Sequence, residues 1–373
     1  MDRKVNTGNL GFFLTFILYF QVMQSYNSSE MKVLDFTTLS SFLNHREKLN
    51  PPFRFHSSKP DILFVTDMEG TVIPLDSEKK VALMGDSLSK NIRVVQGLNE
   101  RALKVLSTGS DLKRVASFED ILESMWYDLV FISNGKELYV GDDLLGEKKV
   151  SNIEANSSWK TLVEEYAGWK VNDLVSITKS QLHELGFSEI DHHYKTTYKN
   201  NIFMGNKNGL ELAINPTNGS LFTMKIPKLQ DSELAEFTKT VSSRIVDLYF
   251  ERTGKKLQYQ ISEFSGYFNV FFETAEIKIN KLTSTEAIPE LFKAPFLENV
   301  KACIVAGDSE NDEHLKLEEI RVNGKKVPVF SLHSGKRLKD NSYFNGHKRI
   351  FISPEEGNIS EKLEEIVRTI DTL

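Results

Sequence analysis

The sequence predicts an α/β fold: a parallel sheet with connecting helices, into which an α+β module is inserted. Three observations predict it. The apolar run Asp61-Ile62-Leu63-Phe64-Val65-Thr66 leads into Asp67-Met68-Glu69-Gly70-Thr71, acids and a glycine where a buried strand would stop. Runs that are apolar at every position mark parallel strands covered on both faces. Short apolar runs then alternate with helically spaced segments as far as Gly135, the pattern of right-handed strand–helix–strand units. From about Glu137 to Lys278 the strands become longer, more polar and paired, which marks the insertion.

Taken in order, residues 1–26 carry Arg3, Lys4 and the apolar run Leu10–Phe20. That run is short for a bilayer span and suits a signal-peptide core with a basic start. A small-residue cleavage site is missing, so four readings stand: a signal peptide, an uncleaved membrane anchor, a degenerate targeting segment, or an apolar helix packed on the core. Membrane contact is expected only through residues 10–20. Secretory or endomembrane targeting stands beside a cytoplasmic location. Residues 27–60 read as extension and linker, with a short helix ending near Asn44 and turns at Pro51-Pro52 and Ser57-Ser58-Lys59-Pro60.

The first part of the core spans 61–136. After the Asp61–Thr66 strand, helical spacing is expected over Asn91–Leu103. A strand Lys104–Ser107 follows, ending in Thr108-Gly109, then a helix over Asp111–Ser124 and a strand Tyr127–Ile132 ended by Ser133-Asn134-Gly135. The inserted module spans 137–278. Its strands are expected at Tyr194–Phe203, Leu210–Asn215 and Leu221–Lys225, with Asn218-Gly219 as a two-residue hairpin signal. Helix Asp231–Thr253 and strands Leu257–Ile261 and Tyr267–Glu273 complete it. The core resumes over 279–373, with a helix Ser284–Lys293, strands Ala302–Ala306, Val327–Leu332 and Arg349–Ile352, and a closing helix Ile359–Ile370.

Composition narrows the function. The chain has 373 residues, 26% charged, with net charge −6. No basic field is present to hold nucleic acid by counterion release, so that partner is excluded. The single cysteine, Cys303, lies in an apolar run. It forms no internal disulfide and no thiolate zinc set, and reads as a core residue.

The acids and hydroxyls at the strand ends form a recognisable series. Asp67-Met68-Glu69-Gly70-Thr71, Ser107-Thr108-Gly109, Ser133-Asn134-Gly135, Lys281, and Gly307-Asp308-Ser309-Glu310-Asn311-Asp312 occur in that order. In this order they resemble the motifs of the haloacid-dehalogenase-like phosphatase superfamily, in the branch with a large α+β cap after the third core strand. The resemblance covers about Asp61 to the C-terminus. Within the branch, which includes Cof-like members, it is most similar to sucrose-phosphatase-like proteins, through Tyr194-Lys195-Thr196-Thr197-Tyr198 in the cap. It implies a Rossmann-like core with a cap, and a Mg²⁺-dependent phosphatase acting on a small phosphorylated metabolite, such as a sugar phosphate.

The resemblance also implies roles. Asp67 is the expected nucleophile, forming an aspartyl-phosphate. Glu69 is the expected general acid and base. Thr108 binds a phosphoryl oxygen and Lys281 neutralises charge there, with Lys278 a close rival. Asp308, Asp67 and the backbone carbonyl of Glu69 hold the metal. Asn311 and Asp312 shape the metal's surroundings or hold Lys281. Asn134 and Lys195 contact substrate. At position 69 the superfamily usually carries aspartate; enolase-phosphatase members give glutamate a precedent. The departure leaves two rivals open: a catalytically weak relative binding a phosphorylated ligand or a partner, and a phosphohexomutase.

Overall fold

A computed structural model describes residues 57–76, 81–141, 159, 163, 170–190, 202–217, 221–227, 232–264, 267–274, 279–293, 295–309, 312–335 and 349–373. The expectations for residues 1–56, for the Asn218-Gly219 turn and for Lys195, Lys278 and Asn311 lie outside these.

The chain runs through β1 (Ile62–Thr66), α1 (Asp86–Gln96), β2 (Ala102–Ser107), α2 (Leu112–Ala116), α3 (Glu119–Met125), β3 (Leu129–Ile132) and β4 (Glu137–Val140). It continues through α4 (Val171–Glu184), β5 (Ser188–Glu189), β6 (Ile202–Gly205), β7 (Glu211–Thr217), β8 (Leu221–Pro227), α5 (Ser232–Thr253), β9 (Leu257–Phe264) and β10 (Tyr267–Thr274). It returns with α6 (Lys281–Ala287), β11 (Ala302–Gly307), β12 (Glu319–Val322), β13 (Lys325–Ser334), β14 (Ile350–Ser353) and α7 (Ser360–Ile370).

Among the described residues the first sheet has the order β12-β13-β11-β1-β2-β3-β4, with β14 paired to β13. It is mostly parallel, and β1 sits in its middle between β2 and β11. Leu63, Val65, Leu103 and Val105 pack on one face, Ile62, Phe64, Ala102 and Leu106 on the other. Burial on both sides explains why these strands are apolar without alternation. Cys303 lies buried in β11, and burial pushes its thiol well above the usual range. Helices α1 and α7 cover the second face through Leu88, Val95, Leu363, Ile366 and Ile370.

The second sheet is antiparallel, in the order β5-β6-β7-β8-β10-β9. Helix α5 runs as expected, burying Val241 and Ile245. These residues share one apolar cluster with Met204, Ile214 and Met224 and with Leu129 and Phe131 of the first sheet.

Several boundaries differ from expectation. Helix α1 ends at Gln96, where the Gly97 amide bonds Arg93 O; glycine is a poor helix former, and Leu103 belongs to β2, opposite Leu63. The helix expected over Asp111–Ser124 is split, because the Ser117 hydroxyl donates to Arg114 O at 2.6 Å, a local bond that competes with helix continuation. Strand β4, placed by sequence in the insertion, instead pairs antiparallel with β3 and edges the first sheet. Helix α6 starts at Lys281 rather than Ser284, because Asn280 and Thr283 cap it reciprocally. Helix α4 was not foreseen; its preceding residue, Lys170, gives no side-chain cap. The β12–β13 hairpin was also missed, although Asn323-Gly324 turns it with both φ positive, 48° and 78°.

Candidate active site

The site forms where β1, β2 and β11 end side by side, with Thr66 opposite both Leu106 and Ala306. An open parallel sheet binds its ligands at this edge. Asp67 is the first residue beyond β1. Its amide bonds Ala306 O at 2.9 Å, extending the pairing to β11 by one residue. His314 reaches the same carbonyl through Nε2 at 3.0 Å. Burial lowers that imidazole to about 4, so it is neutral at pH 7 and its Nε2–H is the donor.

Lys281 enters from α6. Its ammonium donates to Asp67 Oδ1 at 2.7 Å and to Asp312 Oδ1 at 2.5 Å. The Lys281 and Asp312 side chains are 4% and 0% exposed, and a buried charge is tolerated only when paired in this way. The capping box at Asn280 fixes where α6 begins, and so fixes Lys281. The Asn280 amide also donates to Glu313, tying α6 to the short turn that follows Asp312.

Asp312 uses both oxygens. Oδ1 takes Lys281, while Oδ2 accepts the Asp308 and Ser309 amides, each at 2.9 Å. It therefore holds Lys281 and shapes the loop that presents Asp308, and it does not cap the turn from Glu313 with its side chain. Asp67, Asp308 and Asp312 offer oxygens all within 4.8 Å of one another.

Three carboxylates face one ammonium, and the electrostatics reflect that imbalance. Burial and the neighbouring charges of Asp67 and Asp312 push Asp308 up to about 8. Burial raises Asp67 to about 6, with Lys281 opposing. Burial works against Lys281, yet Asp312 and Asp67 hold it above the ordinary lysine value. Burial likewise disfavours ionised Asp312, but Lys281 and the Ser309 amide help keep that carboxyl low. Glu356, not singled out from the sequence, adds further negative potential at Asp308.

Gly70 lets Asp308 come this close. It has φ +75°, and a Cβ there would lie 2.5 Å from Asp308 Oδ2. The Gly70 carbonyl is anchored by the Ser334 hydroxyl at 2.9 Å and the Gly357 amide at 2.7 Å.

Thr108 follows β2 and is buried. Its hydroxyl oxygen accepts the Ser110 amide at 3.1 Å, leaving the O–H proton for an anion. The following helix is capped by Asp111, which accepts the Arg114 amide at 2.8 Å. Asn134 lies against this loop; a Cβ on Gly109 would meet its Oδ1 at 2.9 Å.

Glu69 is arranged differently. Its carboxylate is turned toward α2. Arg114 donates to Oε1 through Nε at 2.8 Å and Nη2 at 2.5 Å, and the Ser110 hydroxyl donates to Oε2 at 2.5 Å. The Glu69 carboxylate is not part of the three-acid cluster. No local spacing signals this pairing, since Glu69 and Arg114 are 45 residues apart.

No family model matches the chain, and no curated protein matches it. Among solved structures it is similar in shape to trehalose-6-phosphate phosphatase from Aspergillus fumigatus, at 11% identity and TM-score 0.43, covering 91% of this chain and 99% of that one. It is similar also to the sucrose-phosphatase from Synechocystis, at 12% identity and TM-score 0.44, covering 84% and 98%. A haloacid dehalogenase-like hydrolase from Bacillus subtilis aligns at 13% identity and TM-score 0.42, covering 90% and 98%. These likenesses are of overall shape alone.

Proposed function

We propose that the chain is a Mg²⁺-dependent phosphatase that hydrolyses a small phosphorylated metabolite, such as a sugar phosphate, through an aspartyl-phosphate on Asp67. One observation carries this reading: a buried carboxylate at the end of the central strand touches a buried ammonium 2.7 Å away, with a further carboxylate, Asp308, beside it. The motifs that resemble haloacid-dehalogenase-like phosphatases agree with it.

The donor set fits a hard divalent cation. Asp67 and Asp308 supply oxygens, and Asp308, raised to about 8, marks an excess of negative charge that a cation would relieve. Asp67, Asp308 and the backbone carbonyl of Glu69 would hold it, with Asn311 and Asp312 around them. When bound, Mg²⁺ would neutralise charge on the phosphoryl group and orient it.

In the first step an Asp67 oxygen attacks phosphorus, the bond to the ester oxygen breaks, and Glu69 gives its proton to the departing alkoxide. Lys281 and the Thr108 hydroxyl bind phosphoryl oxygens, where negative charge is spread in the transition state. In the second step water attacks the phosphorus of the acyl phosphate, Glu69 takes its proton, and Asp67 is released with inorganic phosphate. The second sheet with α4 and α5 acts as the cap that selects substrate, with Lys195 and Asn134 contacting it.

A panel of sugar phosphates, assayed with and without Mg²⁺, tests the reading. Metal-dependent phosphate release that Asp67→Asn abolishes is expected, with a phosphoprotein trapped in the wild type. No release from any substrate, together with unchanged ligand binding by Asp67→Asn, would sink it in favour of a binding protein. Isomerised product without phosphate release would favour a phosphohexomutase.

A further inference from the structure

We propose that Arg114, with Ser110, is a positioning residue that fixes the Glu69 carboxylate for proton transfer. This rests on the phosphatase reading and on Glu69 as its acid and base.

Glutamate is one methylene longer than aspartate and has an additional side-chain torsion to immobilise. Proton transfer to a leaving oxygen tolerates little misplacement, and an error of about 1 Å costs on the order of a hundredfold in rate. A glutamate at position 69 therefore needs partners that hold it. Both of its oxygens are engaged, Oε1 by Arg114 Nε and Nη2 and Oε2 by the Ser110 hydroxyl; with Oε1 held by the guanidinium, the proton that is transferred sits on Oε2, whose Ser110 partner can turn to accept it.

The holder is itself held. The Arg114 guanidinium lies over the Phe118 ring, 4.4 Å from its centroid, a cation–π contact. Its backbone amide is pinned by the Asp111 cap at 2.8 Å. Ser110 follows directly on Thr108-Gly109, and Arg114 comes four residues later. One short segment thus carries both the phosphate-binding hydroxyl and the brace on the acid. The Arg114 and Glu69 side chains are 30% and 25% exposed, unlike the deeply buried Lys281–Asp67 pair. The pair is part-buried, and it ties the second residue after Asp67 to the segment that follows Thr108.

The leaving group supplies the test. An alkyl phosphate ester needs its alkoxide protonated, whereas p-nitrophenolate departs unprotonated. We would measure kcat/KM of the full chain with Mg²⁺ on p-nitrophenyl phosphate and on the best alkyl ester of a sugar-phosphate panel. Arg114→Gln should lower kcat/KM on the alkyl ester by about tenfold or more and leave the aryl ester nearly unchanged. Arg114→Lys should recover part of the loss. In a Glu69→Gln background, Arg114→Gln should cost nothing further.

Equal loss on both esters, no loss on either, or full loss persisting in the Glu69→Gln background would overturn the role of Arg114 while leaving the phosphatase reading intact. Wild type that cleaves the aryl ester but no alkyl ester would overturn Glu69 as an acid, and Arg114 with it. Wild type that cleaves neither would sink both proposals. Thermal unfolding of Arg114→Gln guards against misfolding; a collapse of the melting transition would show a structural role instead.

Discussion

Lys281 and Asp67 lie 214 residues apart in the chain, yet the ammonium of one is 2.7 Å from a carboxylate oxygen of the other. The contact joins the end of β1 to the start of α6, across the whole second sheet. Lys281 is also the cation that compensates Asp312. Among the described residues, replacing it with methionine removes the ammonium that the buried acids share. Loss of one partner from a buried pair costs about 3–5 kcal/mol. The cost should be greatest near pH 8 and shrink toward pH 5.5, because Asp67 and Asp308, raised to about 6 and 8, can take up protons in the folded state. Urea unfolding of Lys281→Met and wild type at the two pH values measures this. A loss independent of pH would show that the acids do not titrate as argued.

Under the proposed function, Asp308 would make metal binding and pH interdependent. Its folded value near 8 lies above the ordinary 3.8. Between those values the folded state keeps a proton that the unfolded chain releases, so this contribution to stability is full below about 3.8 and is lost as pH rises through about 8. A divalent cation needs the ionised form and competes with the proton. The rise in melting temperature on adding Mg²⁺ should therefore grow from pH 6 to pH 8.5, and binding at pH 7 should release protons into the buffer. Calorimetric titration in two buffers of different ionisation enthalpy detects that release. A melting shift that shrinks with rising pH would contradict the assignment of Asp308.

The parts of this arrangement differ in how far the sequence reveals them. β1, β2, β3 and β11 are legible because burial on both faces makes most positions apolar, with Lys104 inside β2 the exception. The residues just beyond them, Asp67, Thr108, Asn134 and Asp308, are legible for the same reason: they break an apolar run where a parallel sheet opens to ligand. Lys281 needs more, since only the reciprocal capping at Asn280 and Thr283 fixes the start of α6, and a pattern of apolar spacing places it later. The Arg114–Glu69 pair carries no local signal. It depends on β1 and β2 lying side by side. Asn323-Gly324 is the opposite case, a turn signal fully present in the sequence beside a strand too short and polar to be read alone.

Gly70 tests the close approach of the loop after β1 to Asp308. Alanine there meets two obstacles, a backbone at φ +75° and an Asp308 oxygen 2.5 Å from the new Cβ. The backbone alone costs about 1–2 kcal/mol. The contact is with the tip of an acid side chain, which can move only by leaving the cluster. Gly70→Ala should therefore weaken Mg²⁺ binding by about tenfold or more, out of proportion to its effect on folding. Titration of the metal-induced melting shift reads the affinity. Unchanged affinity would mean that Asp308 is not a ligand.

Asn91 sets the same loop from behind. It is fully buried in α1, and its amide donates to Val72 O at 3.0 Å and Gly357 O at 2.7 Å. Its oxygen accepts the Ile359 amide at 3.1 Å. One side chain thus ties the turn after β1 to the segment before α7, the same segment whose Gly357 amide holds the Gly70 carbonyl. Alanine would leave two carbonyls and one amide unsatisfied in the interior, at about 1–3 kcal/mol for each such group before relaxation. A total of about 2–4 kcal/mol is expected once water or small shifts recover part of it. Because the loop positions Gly70 rather than reacting, Asn91→Ala should lower phosphatase turnover through weaker metal binding, and raised Mg²⁺ should restore much of the rate. Denaturant unfolding and a Mg²⁺ titration of activity separate the two effects. A variant of unaltered stability, or one whose rate no concentration of Mg²⁺ improves, would show that Asn91 does not govern the site through Gly70.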